Sequence, residues 1–505
     1  MVDHSRWDAL VEDNLPPRPL WPDLRRGARP YPDTLNIADE LLRDIREEAP
    51  ALRWRDECVS YGQLRARVLD AAGALRRLGV QPADRVVLRF HNTPEFVAAW
   101  LAVQWIGAIG VPLPPVYRRR EIVHLVNHSG ASWVVCSADL ERDIETARKD
   151  FADPLVPVVL RVDQARQGVR PPPYPTGRDA PALITYITSA TGDARGVVHS
   201  PGELLATADT YAREVLDLSA RDVCIGPPSI AWSFGLGASL VFPLRAGASV
   251  VLVENGGPPL PVVVAETRAT ILFAVPTMYR LLLRQPDLES FDLTSLRRCI
   301  SAAEPLPAEV VTDWRARTGH ELLDGLGTTE LAHIFISART GAVRPGSIGT
   351  VVEGYEARVV DEDGRERPSG EPGRLEVRGP TGARYWRDAD AQRRVVRDGW
   401  TMTGDVCARE GDGWFVHLGR TDDLIVSGGY KISPAEVERA LLDHRDVRSA
   451  RVFAVADAVR GALPHATVAV GPDVDPASAG ERLQQYLKQE LAPYKCPRVI
   501  RVVRS

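Results

Sequence analysis

The chain has 505 residues, 44% hydrophobic and 26% charged, with a formal net charge of −5. A single core stops growing at roughly 250–300 residues, so at least two domains are expected, and the acidic balance offers no basic footprint for nucleic acid. The six cysteines, Cys58, Cys136, Cys224, Cys299, Cys407 and Cys496, form no C-x-x-C pair and no histidine cluster accompanies them, which speaks against a zinc site or a disulfide framework and fits a reducing cytoplasm.

In chain order, the N-terminus Met1-Val-Asp-His-Ser-Arg-Trp-Asp carries charge and no apolar run, so it does not read as a signal peptide. Apolar residues at helical spacing predict a helix over Ser60–Leu78, and Arg85–Arg89 reads as a strand. Residues Phe96 to Val116 are uncharged and approach the length of a membrane span, but Gln104, Gly107, Gly110, Pro112, Pro114 and Pro115 interrupt them. A buried helix running into a strand and loop is expected there, with no membrane association. Ser132–Cys136, Leu183–Ile187, Ala248–Val253 and Ala269–Val275 are further strand-like runs, and helical periodicity returns in Leu204–Leu216. The proline-rich Arg170–Pro175 reads as a surface connection. This βα alternation predicts a large layered α/β domain with largely parallel sheets.

From the turn-rich Gly419-Arg-Thr-Asp-Asp segment onward the pattern changes. Ser433-Pro-Ala-Glu436 is a helix start, with serine as cap, proline in the first position and Glu436 reaching back. A helix Ala435–Asp443, strands Ser449–Val455 and Ala466–Val470, and a helix Gly480–Glu490 then predict a small α+β domain. The expected division is a large N-terminal domain over residues 1–419 and a small C-terminal domain over residues 420–505, joined by a hinge.

Four segments carry chemistry. Thr188-Ser-Ala-Thr-Gly-Asp-Ala-Arg-Gly196 follows a strand, and its hydroxyls, glycines and Arg195 suit a phosphate-binding loop, although the spacing of the common P-loop is absent. Asp324-Gly-Leu-Gly-Thr-Thr-Glu330 offers the hydroxyls of Thr328 and Thr329 to phosphate and Glu330 to Mg²⁺. Thr403-Gly-Asp405 presents a carboxylate to ribose hydroxyls. Gly419-Arg420-Thr-Asp422-Asp423 precedes Ser427-Gly-Gly-Tyr-Lys-Ile-Ser-Pro434. Each piece alone also reads as an ordinary turn or helix cap.

In this order and spacing the set resembles the acyl-adenylating superfamily of acyl-CoA ligases, luciferases and peptide-synthetase adenylation domains, over nearly the whole chain. The resemblance implies that Thr188, Ser189, Thr191, Gly192 and Arg195 face pyrophosphate, and that Ala303 and Glu304 lie beside adenine. It places Thr329 and Glu330 at the α-phosphate and Mg²⁺, Asp405 at the ribose and Arg420 between ribose and phosphate. Asp422 would be the hinge, with Gly428, Gly429 and Tyr430 along the pantetheine tunnel. A narrower likeness, to aryl–CoA ligases of the 2-aminobenzoate type, rests on Asp13-Asn-Leu-Pro-Pro, Gly226-Pro-Pro-Ser-Ile-Ala-Trp-Ser-Phe-Gly-Leu-Gly, Val241-Phe-Pro-Leu-Arg-Ala-Gly-Ala, Ala274-Val-Pro-Thr-Met-Tyr-Arg and His333-Ile-Phe-Ile-Ser. It implies an aryl pocket lined by Ala231, Trp232, Ser233, Phe234, Gly327 and His333.

The chain departs from that pattern. The family's loop reads S-G-T-T-G-x-P-K-G; here Ser189, Ala190, Ala194 and Arg195 replace glycine, threonine, proline and lysine, and Ala303 stands where glycine is usual. After a Y-K-x-P-R segment, here Tyr494–Arg498, the family continues to a lysine that serves adenylation; this sequence ends at Ser505, before it. Losing such a preorganised cation typically costs about 10²–10³ in rate. The leading expectation is therefore an aryl-CoA acyltransferase that moves an anthranilate-like group from a coenzyme A thioester to an acyl carrier protein. Held AMP, or Cys224, Cys299 or Cys407 as a covalent carrier, would provide the route. An ATP- and Mg²⁺-dependent aryl–CoA ligase and a non-catalytic aryl or nucleotide binder remain the other readings.

Overall fold

The computed structural model describes residues 5–25, 31–153, 159–160, 169–188, 192–254, 256–422, 424–471 and 474–504. Among these, three sheets build a large lobe and a fourth builds a small one. The first sheet runs in the order Thr350–Val351, Ile334–Ser337, Leu322–Gly327, Arg298–Ser301, Ile271–Ala274, Val223–Gly226, Ser249–Leu252, Pro50–Trp54 and Glu57–Ser60. Its strands from Leu322–Gly327 through Pro50–Trp54 are parallel. The second sheet runs Val159–Leu160, Trp133–Cys136, Arg85–Arg89, Ile109–Pro112, Leu183–Ile187 and Arg195–His199, parallel except for the last pair.

The helix Tyr61–Leu78 shows how the sequence sets these layers. Ser60 and Gln63 form a reciprocal cap, and Gly79 ends the helix at φ 103°. Leu64, Val68, Ala71, Ala72 and Leu75 make one buried stripe. The uncharged stretch becomes the helix Pro94–Trp105, buried on all sides from Phe96 onward, followed by the strand Ile109–Pro112. No helix among the described residues is long and apolar enough to cross a membrane. The segment Leu204–Leu216 is helical as expected, but it changes from α to wider π-type turns at Ala208–Val215.

The third sheet departs from the expectation of parallel strands. Glu356–Val360, Gly373–Arg378, Trp400–Arg409, Val396–Arg397 and Phe415–Arg420 pair antiparallel throughout. Burial alternates along Trp400–Arg409, the mark of a sheet with one covered face, but Thr401, Thr403 and Asp405 take buried positions, so the sequence shows no matching apolar alternation.

The small lobe holds strands Ile425–Ser427, Tyr430–Ile432, Val447–Asp457, Gly461–Val470 and Ile500–Arg504, and helices Pro434–Leu442 and Pro476–Glu490. Its own core gathers Ile432, Val437, Leu441, Val468, Leu483 and Leu487. Ser427 pairs with Tyr430 across Gly428 and Gly429, which sit at φ 55° and 83°. Positive φ at both central residues makes the tight hairpin turn that glycine pairs favour.

Candidate active site

Four neighbouring strands of the first sheet end on one side: Val223–Gly226, Ile271–Ala274, Arg298–Ser301 and Leu322–Gly327. The residues just beyond their C-terminal ends, Pro227, Val275, Ala302–Glu304 and Thr328–Glu330, line a cavity of about 950 Å³. Carboxyl ends of parallel strands are where α/β sheets place ligands. The third sheet adds Asp405 and Arg420, and the small lobe adds Gly428, Gly429, Tyr430, Lys431 and Tyr494.

One end of the cavity is aromatic. Trp232, Ser233, Phe234, Gly327 and His333 line it. His333 lies 5.6 Å from the Phe234 ring and 4.4 Å, edge-on, from Phe242. Its Nε2 donates to the Phe234 carbonyl at 3.3 Å, while burial drives its pKa down to about 3, so the ring is neutral. Gly237 stands behind it: a Cβ there would lie 2.5 Å from His333 Cδ2.

The other end is polar. Asp405 Oδ1 accepts from Arg420 Nη1 at 3.0 Å and from His417 Nε2 at 3.2 Å. Oδ2 is buried and has no partner among the described residues, an acceptor left open. Burial would raise the Asp405 carboxyl, but His417, Arg420 and Lys431 outweigh it and hold it below the usual range. Arg420 also donates to both oxygens of Asp422, at 2.8 and 2.5 Å. The Thr329 carbonyl accepts from His199 at 2.7 Å, and its hydroxyl lies 3.4 Å from Ser233 Oγ. Tyr385 donates its hydroxyl to Glu330 at 3.0 Å.

Most of the residues singled out from sequence meet in this one cavity: Thr188, Arg195, Trp232, Ser233, Phe234, Ala303, Glu304, Gly327, Thr329, Glu330, His333, Asp405, Arg420, Asp422, Gly428, Gly429 and Tyr430. Arg195 is engaged by Asp388 at 3.2 Å. Ser189 and Thr191 lie outside the described residues. Ala231 is buried behind the wall rather than on it. Gly192 meets the small lobe instead of the cavity: a Cβ there would lie 2.9 Å from the Glu436 backbone nitrogen. Cys224, Cys299 and Cys407 are fully buried and line no part of the cavity. Burial raises all three thiols, Cys299 to about 12, so none is placed or ionised to carry an acyl group.

Sequence reasoning passed over four contributors. Lys431 lines the cavity, and burial together with Arg420 lowers its pKa against the pull of Asp405, Glu330 and Asp422. The period of two along the hairpin puts it on the face of Gly429, which was the available signal. Asp324 also lines the cavity, and burial pushes its carboxyl well above the usual range against the pull of the Gly325 N–H. Tyr385 is distant in sequence from Glu330, His417 reaches Asp405 from the neighbouring antiparallel strand, and no local motif marks either.

Known proteins resemble this chain over most of its length. The profile of the AMP-binding enzyme family matches residues 44–386, and that of the AMP-binding enzyme C-terminal domain matches residues 436–505. The benzoate–CoA ligase of Thauera aromatica is 32% identical over 94% of this chain and 93% of its own. The anthranilate–CoA ligase of Pseudomonas aeruginosa is 31% identical over 93% of this chain and 92% of its own. Among solved structures, the anthranilate CoA ligase AuaEII in complex with anthranoyl-AMP superposes with a TM-score of 0.75 at 30% identity, covering 94% of both chains.

Proposed function

Because the chain belongs to the AMP-binding enzymes, in the company of aryl–CoA ligases, we propose that it is an aryl–CoA ligase that activates a benzoate-type acid, such as anthranilate, with ATP and passes the acyl group to coenzyme A. One observation carries this reading. One cavity holds both an aromatic slot and a polar end with an open carboxylate oxygen, and a glycine hairpin from the small lobe lines it.

The slot of Trp232, Phe234 and His333 would hold the ring; a neutral imidazole asks for no counter-charge there. Asp405 Oδ2 would take a ribose hydroxyl, the donor its buried position lacks. Thr329 would face the α-phosphate, and Arg420 would stand between it and the ribose. Glu330, steadied by Tyr385, would supply one oxygen to Mg²⁺ held with the phosphates, which neutralises phosphate charge when bound. Asp422 would serve as the hinge, and Gly429 would leave room for pantetheine.

The carboxylate oxygen attacks the α-phosphorus, and the bond to the pyrophosphate oxygen breaks. The sulfur of coenzyme A, giving up its proton, then attacks the acyl carbon, and the bond to AMP breaks. Transfer to a carrier-protein thiol finds less support: the relatives are ligases, and no cysteine reaches the cavity.

The test is incubation with benzoate or anthranilate, ATP, Mg²⁺ and coenzyme A. The expected outcome is aryl-CoA and AMP in equal amounts, with none formed when ATP is withheld. ATP-independent transfer from anthraniloyl-CoA to a holo carrier protein, without ligation, would overturn the proposal.

A further inference from the structure

Outside the cavity, one fully buried cation joins the two lobes. Lys495 Nζ lies 3.1 Å from Glu121 Oε1 and 2.6 Å from Glu436 Oε1. The lysine and Glu121 side chains are each 4% exposed and Glu436 is 14% exposed. Glu121 belongs to the large-lobe helix Arg119–Ser129, and Glu436 and Lys495 belong to the small lobe. Glu121 Oε2 caps its own helix by accepting from Arg118 N at 2.9 Å. That leaves Oε1 for the small lobe, where it also accepts from Ala492 N at 2.7 Å. Burial alone would lower the lysine, but Glu121 and Glu436 outweigh it and keep it an ammonium.

The lysine is also part of a closed ring of side chains. Tyr494, next in the chain, stacks on Tyr430 of the glycine hairpin, with centroids 4.0 Å apart and planes 13° apart. Tyr430 meets Trp232 edge-on at 6.3 Å, and Trp232 meets Tyr117 edge-on at 5.7 Å. Lys495 Nζ lies 5.4 Å over the Tyr117 ring, which closes the circuit. The ring thus runs from the lobe seam through the hairpin to the wall of the aromatic slot and back.

We propose that Lys495, seated on Glu121, is a positioning residue for the thioester step: through Tyr494 and Tyr430 it fixes the Gly428–Gly429 hairpin against the acyl pocket. This rests on the aryl–CoA ligase reading. The ion pair suits a contact that is made and broken. Glu436 travels with Lys495, so the small lobe keeps a paired lysine when the lobes part. Of its ion-pair partners only Glu121 is lost, together with the Tyr117 ring beneath the ammonium, and the freed carboxylate then gains water. The closed pose therefore depends on both Lys495 and Glu121.

The full chain is assayed for thioester formation from synthetic benzoyl- or anthraniloyl-AMP plus coenzyme A, as wild type, Lys495→Met, Lys495→Arg and Glu121→Gln. Glu121→Gln is near-isosteric and keeps an oxygen for the helix cap, so it guards against misfolding; thermal midpoints are recorded for every variant. A misplaced hairpin is expected to lower kcat about 10- to 100-fold in Lys495→Met and Glu121→Gln, with the KM for the adenylate changed less than about threefold, and Lys495→Arg is expected to recover part of the loss. Unchanged kcat in both charge-removing variants, or a loss matched by a rise in KM, would overturn the positioning role. A wild type that forms no aryl-CoA from the adenylate would instead overturn the ligase reading beneath it, and the positioning role with it.

Discussion

Asp405 shows one oxygen to Arg420 and His417 and keeps the other bare in a buried wall. Its charge is therefore spent on one side and available on the other. Asp405→Asn keeps the shape and removes the charge. Losing a charge-assisted bond costs about 1.5–3 kcal/mol, so kcat/KM for ATP is expected to fall roughly 10- to 100-fold, with a lower thermal midpoint because Arg420 and His417 lose the carboxylate they face; steady-state kinetics at varied ATP reads the first effect. Ala303 is a different case. It lines the cavity at φ 74°, a left-handed conformation that costs an ordinary residue about 1–2 kcal/mol. Ala303→Gly removes that strain but adds roughly 0.4–1 kcal/mol of unfolded-state entropy. A net gain of up to about 1.6 kcal/mol is expected from these opposing terms, read as a higher urea midpoint.

The hairpin Ile425–Ile432 is the element on which the site turns. Gly429 sits at φ 83°, and a Cβ there would lie 3.1 Å from Val275 Cγ1. Gly429→Ala would press on the large lobe and strain the turn together. Thioester formation from the aryl adenylate is expected to drop about tenfold or more, with stability altered by no more than roughly 2 kcal/mol; a coupled assay of the second half-reaction measures it. Elements of this kind were legible in sequence because glycines, caps and short strands announce themselves locally. Ser433 accepts from Glu436 N at the expected helix start, for instance. The Glu436 carboxylate, expected to reach back to its own cap, instead accepts from Lys495 Nζ, far along the chain. The antiparallel third sheet was missed because parallel runs set the pattern, while its own signal, alternating burial, needs the fold to be seen.

Across the whole molecule, buried titratable groups tie stability to pH in both directions. Burial lowers His333 to about 3 and His128 to about 4. Between those values and the unfolded value near 6.5, the unfolded chain binds more protons, so the stability these rings contribute is present above pH 6.5 and is lost as pH falls. From pH 7 to 5 the loss is about 2 kcal/mol for each. Asp324, Glu304 and Glu436 are raised and act in the opposite sense, gaining stability as pH falls. The informative measurement is therefore a difference: the urea midpoint of His333→Asn is expected to fall less between pH 7 and 5 than that of wild type. Equal slopes would contradict the buried neutral imidazole. At this scale the sequence was a fair guide to which residues meet, since motifs scattered from Thr188 to Tyr430 converge on one cavity. It was blind to what holds them in place. Tyr385 on Glu330 and Glu121 on Lys495 are contacts between distant segments, and His417 reaches Asp405 across a strand pair that the sequence did not announce.

Gly237 touches His333 from the side away from the slot, with no space for a single methyl between them. The calibre of the slot is thus gauged from outside by a residue that never meets the ring it admits. Adding that methyl would drive the imidazole forward and shorten the space for ring substituents, leaving every lining side chain chemically unchanged. The range of acids accepted can then drift through positions buried one layer back, where a comparison of pocket walls alone would register no difference.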